Sequence, residues 1–273
     1  MYNSKILTNI ETYKNSLTKS ETKIVKFLEE KITDVIYMSV TEFADTVDVG
    51  ETTILRFCRK IGFKGYQDFK IAVAQDDINK NNIETKDSIS EKIYDSIVEV
   101  LSNSKNLIKQ EDIDEVIDIM NKARKVYFFG VGSSGITALE AKSKFFRIHR
   151  KFDAVTDSHF QSMVSEIVNE DDVIVVLTLS GSTKDVVDVV ERAKQNGAKI
   201  VTITNYQRAP ITKHTDILLL TSNKKMQIEG GAMVEKITQL YMIDILYISY
   251  VELKDEFKDR RRMTARSVVD KKY

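Results

Sequence analysis

The chain has 273 residues, with 41 basic and 41 acidic side chains, 42% hydrophobic and 30% charged residues, and a formal net charge of zero. That length exceeds the usual size of one domain and predicts two, each long enough to bury its own core. A zero balance excludes bulk attraction to nucleic acid, so any such contact must come from a local patch; a single cysteine, Cys58, excludes an internal disulfide, and three scattered histidines without a paired-cysteine or HExxH pattern predict no metal site.

Met1 to Ile10 lacks the charged-then-apolar order of a secretory leader, and no run approaches the ~18 apolar residues of a membrane span. The expectation is a reduced cytoplasmic protein with no membrane partner. From Leu17 to about Ala74, apolar residues recur at helical spacing. Thr18-Lys-Ser-Glu21 and Ser39-Val-Thr-Glu42 have capping-box form and mark two helix starts. A further helix is predicted over Glu51–Ile61, then the turn Gly62–Gly65 and another helix through Tyr66, Phe69 and Ile71.

Within Val40–Ile61, a short helix carrying Phe43, Ala44 and Val47 is followed by the tight connection Asp48-Val49-Gly50 and a second helix. This is the spacing of a helix-turn-helix, in which the second helix presents its first turns to base edges in the major groove. Ile54, Leu55, Cys58 and Ile61 are expected to face the core, which leaves Thr52, Thr53, Arg56, Arg59 and Lys60 outward, with Lys64 just beyond. Arginine bonds guanine O6 and N7 in a fork, while threonine hydroxyls and backbone amides hold phosphates. Between Glu51 and Lys70 five basic residues face two acidic ones, the local patch that the neutral chain requires. An ordinary helical hairpin with a solvated basic face would read the same way. Cys58 reads as a small core residue rather than a redox sensor.

Residues 76–90 are polar and without aromatics, and read as a linker between a helical domain at 1–75 and a second domain at 91–273. Helices are predicted over 91–109 and 112–123. Short β-rich runs then alternate with helical stretches: 126–129, 152–155, 173–179, 199–204 and 216–220. The alternation predicts an α/β domain with a doubly wound, five-stranded parallel sheet covered on both faces. The apolar segment 232–250 reads as a packing helix interrupted by Glu235, Lys236 and Asp244, and the basic residues Arg260–Arg262 and Lys271–Lys272 as a solvated helix end.

Two strand-to-helix turns carry the chemistry of this second domain. Gly130-Val131-Gly132-Ser133-Ser134-Gly135 follows the first strand and is formally GxGxxG, which also suits a dinucleotide, with Asp153 or Asp157 at about the distance of a ribose-binding acid. Ser180-Gly181-Ser182-Thr183 follows the third strand. Two Ser/Thr-rich turns at carboxyl ends of parallel strands can converge on one crevice, and their hydroxyls and amides suit a compact phosphate monoester better than a pyrophosphate. The candidate ligand residues are Gly132, Ser133, Ser134, Ser180, Gly181, Ser182 and Thr183.

The stretch Met38–Ala74, above all Arg56-Phe-Cys-Arg-Lys-Ile-Gly-Phe-Lys-Gly65, resembles the N-terminal domain of the RpiR/MurR family of bacterial transcription regulators. Residues 91–250 resemble the sugar isomerase (SIS) domain through FFGVGSSG, Asp157-Ser-His-Phe-Gln161, LTLSGSTKDVV and Asn196-Gly-Ala-Lys-Ile-Val-Thr-Ile-Thr-Asn205. The family usually shows glycine then serine around the helix-turn-helix turn, where this chain has Asp48 and Gly50. It more often shows arginine where Glu229 stands, and Glu235 also departs from its pattern. The resemblance implies phosphate binding by Ser133, Ser134, Ser180, Ser182 and Thr183. It further implies a repressor of sugar-metabolism genes whose affinity for a double-stranded DNA operator is controlled by a sugar phosphate, working as a homodimer or homotetramer without cofactor or catalysis. The alternative is an aldose/ketose phosphate isomerase, for whose general base Glu229, Glu235 and His159 are the candidates.

Overall fold

The computed structural model describes residues 6, 10, 13, 17–81, 88–222 and 232–269. Two compact units part between Ser96 and Ile97. The first contains α1 (Lys19–Lys31), a 3-10 turn (Ile32–Tyr37), α2 (Val40–Thr46), α3 (Glu51–Lys60) and α4 (Tyr66–Asn81). Both expected capping boxes form: the Thr18 hydroxyl accepts from the Glu21 amide and the Glu21 carboxylate from the Thr18 amide, and Ser39 and Glu42 do the same. Two orphan amides at each helix start are thereby satisfied. Ile24, Leu28, Phe43, Ile54, Phe57, Cys58 and Phe69 make one buried cluster. Burial pushes the Cys58 thiol up to about 12, so it packs as a neutral apolar group.

The polar stretch 76–90 begins as the last turns of α4, which runs to Asn81; residues 82–87 lie outside the described residues. α5 (Ile89–Leu107) starts before the division between the units and continues past it.

The second unit continues with α6 (Gln110–Lys122), β1 (Lys125–Phe129), α7 (Gly132–Phe146), β2 (Phe152–Val155), α8 (Ser158–Ile167), β3 (Asp172–Leu177), α9 (Lys184–Gln195), β4 (Lys199–Thr204), a 3-10 turn (Pro210–His214), β5 (Ile217–Leu220), α10 (Ala232–Glu252) and α11 (Asp255–Val269). The five strands are parallel in the order β2-β1-β3-β4-β5. Alternate residues feed two cores, as a period of two requires. Val126, Phe128, Val173, Val175 and Val201 pack with α6, α7 and α10, while Phe129, Ile174, Val176 and Ile200 pack with α9 and partly with α8. All six residues of β3 are buried, which is why Val173–Leu177 run continuously apolar, while Asp172 at the start of the strand is paired with Arg124 at 2.7 Å. α10 buries Met242, Ile243, Leu246, Tyr247 and Tyr250 against the sheet and is a packing helix, as expected. Among the described residues no helix is long and apolar enough to cross a membrane. Arg260–Arg262 lie in α11; Lys271 and Lys272 fall outside the described residues.

Candidate functional site

In the first unit, the connection after α2 closes through Val49 N–H to the Ala44 carbonyl at 3.0 Å, and Asp48 holds φ 53°. This left-handed position is where glycine costs least and Asp is among the tolerated alternatives. Lys23 Nζ, 2.6 Å from Asp48 Oδ2, anchors it and holds its carboxyl below the usual range. Gly50 precedes α3 without a side-chain cap, and Thr41 Oγ1 ties α2 to α3 by donating to Glu51 Oε1 at 2.8 Å. Thr52, Arg56 and Arg59 are exposed, four and three residues apart, and therefore share one outward face, with Thr53 half-buried beside it and Lys64 exposed after the helix. On the inner face Phe57 is fully buried together with Ile54, Cys58 and Ile61, whereas Leu55, expected there, is only partly covered.

Two of the five local cations are spent inside the domain. Lys60 Nζ lies 2.9 Å from Glu21 Oε2, and Lys70, 7% exposed, donates to the Met38 carbonyl at 2.9 Å. The exposed cations of the patch are Arg56, Arg59 and Lys64. Burial raises the Glu21 pKa, but the Thr18 amide and Lys60 outweigh it, so the carboxyl sits below its ordinary 4.5. A depressed carboxyl contributes stability above its unfolded pKa and loses it as pH falls through the folded one. Lys60→Met is accordingly expected to cost about 1–2 kcal/mol at pH 7, between exposed and buried ion pairs, with the deficit shrinking below pH ~4.5. Urea unfolding at pH 7 and pH 4 measures it. A stable variant that instead loses DNA affinity would assign Lys60 to the interface.

In the second unit, β1 and β3 are the central neighbours, with Phe129 opposite Val176. The chain leaves β1 through α7 toward β2 and leaves β3 through α9 toward β4. Here the strand order reverses, and a crevice opens outside the strand ends in such sheets. Both serine-rich turns therefore start from adjacent strands at the switch point. Gly132, exposed, begins α7; Ser133 is half-buried; Ser134 is buried and its Oγ accepts from Gln239 Nε2 at 3.2 Å. On the β3 side, Ser180 and Ser182 are half-buried and Thr183 is exposed. The Ser182 amide reaches Ser180 Oγ at 3.3 Å and its hydroxyl donates to the Ser180 carbonyl at 2.9 Å. Gly181 has φ 61°, and a Cβ there would stand 2.7 Å from Ala209 Cβ, so both backbone and packing require glycine. Ile211 N–H to the Gly181 carbonyl and Asn205 N–H to the Leu179 carbonyl, at 3.1 and 3.2 Å, fasten the turn to the chain after β4.

Neither α7 nor α9 has a side-chain cap. Their first amides and positive dipole ends thus remain for an anion. α8, by contrast, is capped by Asp157, whose side chain accepts from the Phe160 amide. Asp153 is ion-paired with Lys142 at 2.6 Å. Both carboxylates considered for a ribose are therefore held in structural bonds. His159 is exposed near the start of α8; Glu229 and the Glu235 side chain lie outside the described residues.

Two fully buried glutamines brace the first turn. Gln161 Nε2 lies 3.2 Å from the Gly130 carbonyl and 2.7 Å from the Val155 carbonyl, while Gln239 holds Ser134. Their signal in the sequence is a polar residue in an apolar helical stripe: Gln161 precedes Val164 and Val168 at core spacing, and Gln239 precedes Met242, Ile243 and Leu246. Among the described residues no group of three His, Cys, Asp or Glu is placed to hold a metal.

Comparison with known proteins matches residues 4–80 to the helix-turn-helix domain of the rpiR family and residues 119–249 to the SIS domain. An HTH-type transcriptional regulator of Haemophilus influenzae is 34% identical, covering 97% of this chain and 96% of its own. One of Clostridium perfringens is 35% identical, covering 97% and 99%. The structure of the Vibrio vulnificus NanR protein complexed with ManNAc-6P superposes with a TM-score of 0.86 at 25% identity, covering 98% of this chain and 99% of that one.

Proposed function

The chain belongs to the rpiR family of helix-turn-helix transcriptional regulators that carry a SIS domain, and on that premise we propose that a sugar phosphate held by the β1 and β3 turns controls its affinity for a double-stranded DNA operator. The observation that carries the ligand half is the departure of two serine-rich turns, each opening an uncapped helix, from neighbouring strands at the switch point. Amides of both helix starts, with the Ser133, Ser180 and Thr183 hydroxyls, surround a phosphate monoester. Each bond to the charged group contributes about 1.5–3 kcal/mol before the costs of binding. The NanR complex with a phosphorylated amino sugar supports an effector of this class.

On DNA, Arg56 and Arg59 face base edges while Thr52, Thr53 and the first amides of α3 hold phosphate. Helix-turn-helix proteins read paired half-sites about 34–36 Å apart, so in a homodimer or homotetramer a ligand that shifts the spacing of two α3 helices changes affinity. A coupling of about 1–3 kcal/mol is enough for control, here of the repressing kind. Two variants separate the halves in a mobility-shift titration paired with thermal-shift measurement. Arg56→Ala should weaken operator binding by about 1–3 kcal/mol and leave the sugar-phosphate shift in place, whereas Ser180→Ala with Ser182→Ala should do the reverse. An absence of specific DNA binding under every sugar-phosphate condition would sink the regulator reading. Undiminished ligand affinity in the double serine variant would sink the site.

A further inference from the structure

Although the chain is neutral overall, residues 147–151 and 252–266 together hold nine cations and four acids. The fold joins these stretches: Arg260 Nη1 donates to the Ile148 carbonyl and Thr264 Oγ1 to the Arg147 carbonyl, each at 3.2 Å. A cleft of about 470 Å³ opens there, walled by Arg147 at the end of α7 and by Lys258, Arg261 and Arg262 of α11, with Glu252 the single acid and Val251 and Ala265 apolar. Lys258 is paired with Glu252 at 3.0 Å and Asp255 at 3.3 Å, and Arg262 with Asp259 at 3.2 Å. Arg147 and Arg261 are exposed and make no ion pair among the described residues. A cation such as Arg147 at a helix end complements the helix dipole, an effect of about 0.3–1 kcal/mol, and the Arg261 guanidinium lies 5.9 Å from the centroid of the Tyr247 ring, which accounts for its position but gives neither arginine an anionic partner. The positive potential is felt nearby: burial, then Lys151, Arg260 and Arg150, hold His149 below the usual imidazole range.

We propose that this cleft binds a compact anion built of linked phosphate groups, at a site separate from the sheet end. α7 has 15 residues, so at 1.5 Å per residue its two ends lie about 21 Å apart, with the serine turn at one and Arg147 at the other. The volume is that of a small-molecule site, whose usual range is roughly 300–1,000 Å³. Concavity separates the possible partners, because a DNA backbone is a convex rod that meets ridges and flat faces, whereas cations on two walls close around a ligand placed between them. A monoester, carrying about −1.5 to −2, offers one fork partner; a polyphosphate chain offers one to each wall.

Calorimetric titration of the full chain with tripolyphosphate, ATP and inorganic phosphate tests this. Saturable tripolyphosphate binding is expected, at least tenfold weaker for inorganic phosphate and at least tenfold weaker in Arg147→Ala/Arg261→Ala. Ser180→Ala/Ser182→Ala should leave it unchanged, whatever that variant does to sugar phosphates. Equal affinity for ATP would mean that the phosphate chain alone is read; tighter ATP binding would make a nucleotide the ligand. Arg147→Lys/Arg261→Lys keeps the charge and removes the forks, and should bind with intermediate affinity, which guards against misfolding of the alanine pair. The proposal is overturned if tripolyphosphate does not saturate, if the arginine variants bind like the unaltered chain, or if binding disappears with the serines. It is overturned too if the arginine pair affects only affinity for duplex DNA.

Discussion

Gly130→Ala is expected to weaken sugar-phosphate binding more than a hundredfold while leaving ligand-free operator binding intact. An added Cβ would stand 2.5 Å from the Ser134 carbonyl oxygen and 2.7 Å from its carbon, and these are backbone atoms of the first turn of α7. No rotamer change relieves such a clash, so either the end of β1 or the start of α7 must move. The strand end is held, because the buried Gln161 amide ties the Gly130 and Val155 carbonyls together. The movement therefore falls on the helix start, whose amides face the phosphate in the proposed site. Overpacking costs about 1–3 kcal/mol, and each lost bond to a charged group about 1.5–3 kcal/mol, so losing two suffices for the predicted effect. Gly132→Ala provides the contrast: its φ is 57°, but an added Cβ meets nothing within 4 Å, which leaves a conformational penalty of about 1–2 kcal/mol. Isothermal titration of both variants should rank Gly130→Ala well below Gly132→Ala. A Gly130→Ala chain with unaltered affinity would remove this turn from the ligand site.

What could be read in the residues was what is local. Thr18 and Glu21, or Ser39 and Glu42, stand three apart and cap whatever helix follows, and the valine and isoleucine runs of β3 and β4 admit little besides buried parallel strands. The α3 core stripe was readable only in part. Ile54, Cys58 and Ile61 set its direction, but Leu55 lies one residue, or about 100°, round from Ile54, and Phe57, at the third residue, takes the buried place. Lys60 read as an outward cation, since nothing near it in sequence announces Glu21, 39 residues earlier. Ser134 carries the same lesson: its hydroxyl meets Gln239, 105 residues away, a polar residue whose place in an apolar stripe marks it without naming its partner. Long-range polar pairings of this kind depend on how elements pack, which periodicity does not encode. The departure of the two serine turns from neighbouring strands, by contrast, followed from topology, because α/β units place such turns at the carboxyl ends of the strands and the strand order makes β1 and β3 neighbours.

Phe145→Ala is expected to destabilise the α/β unit by about 3–5 kcal/mol, the cost of emptying a fully buried aromatic site. The Phe145 ring lies 4.8 to 5.8 Å, centroid to centroid, from Phe128, Phe152, Tyr247 and Tyr250, so one side chain joins α7 to β1, β2 and α10. For a unit of this size the loss corresponds to a fall of roughly 6–20 °C in Tm. Phe145→Leu fills part of the space and should recover more than half of it; a loss below about 1 kcal/mol for alanine would mean that the cluster closes over the gap. The same variant tests how far the core and the proposed ligand turn depend on each other, since Phe145 sits near one end of α7 and Ser133 near the other. Sugar phosphate at a hundredfold its Kd returns about 2.7 kcal/mol to any chain whose site is whole. If α7 holds its first turn while its far end loses packing, ligand restores that same increment to Phe145→Ala. A markedly smaller increment would show that the phosphate turn is built only when the aromatic core beneath α7 is complete.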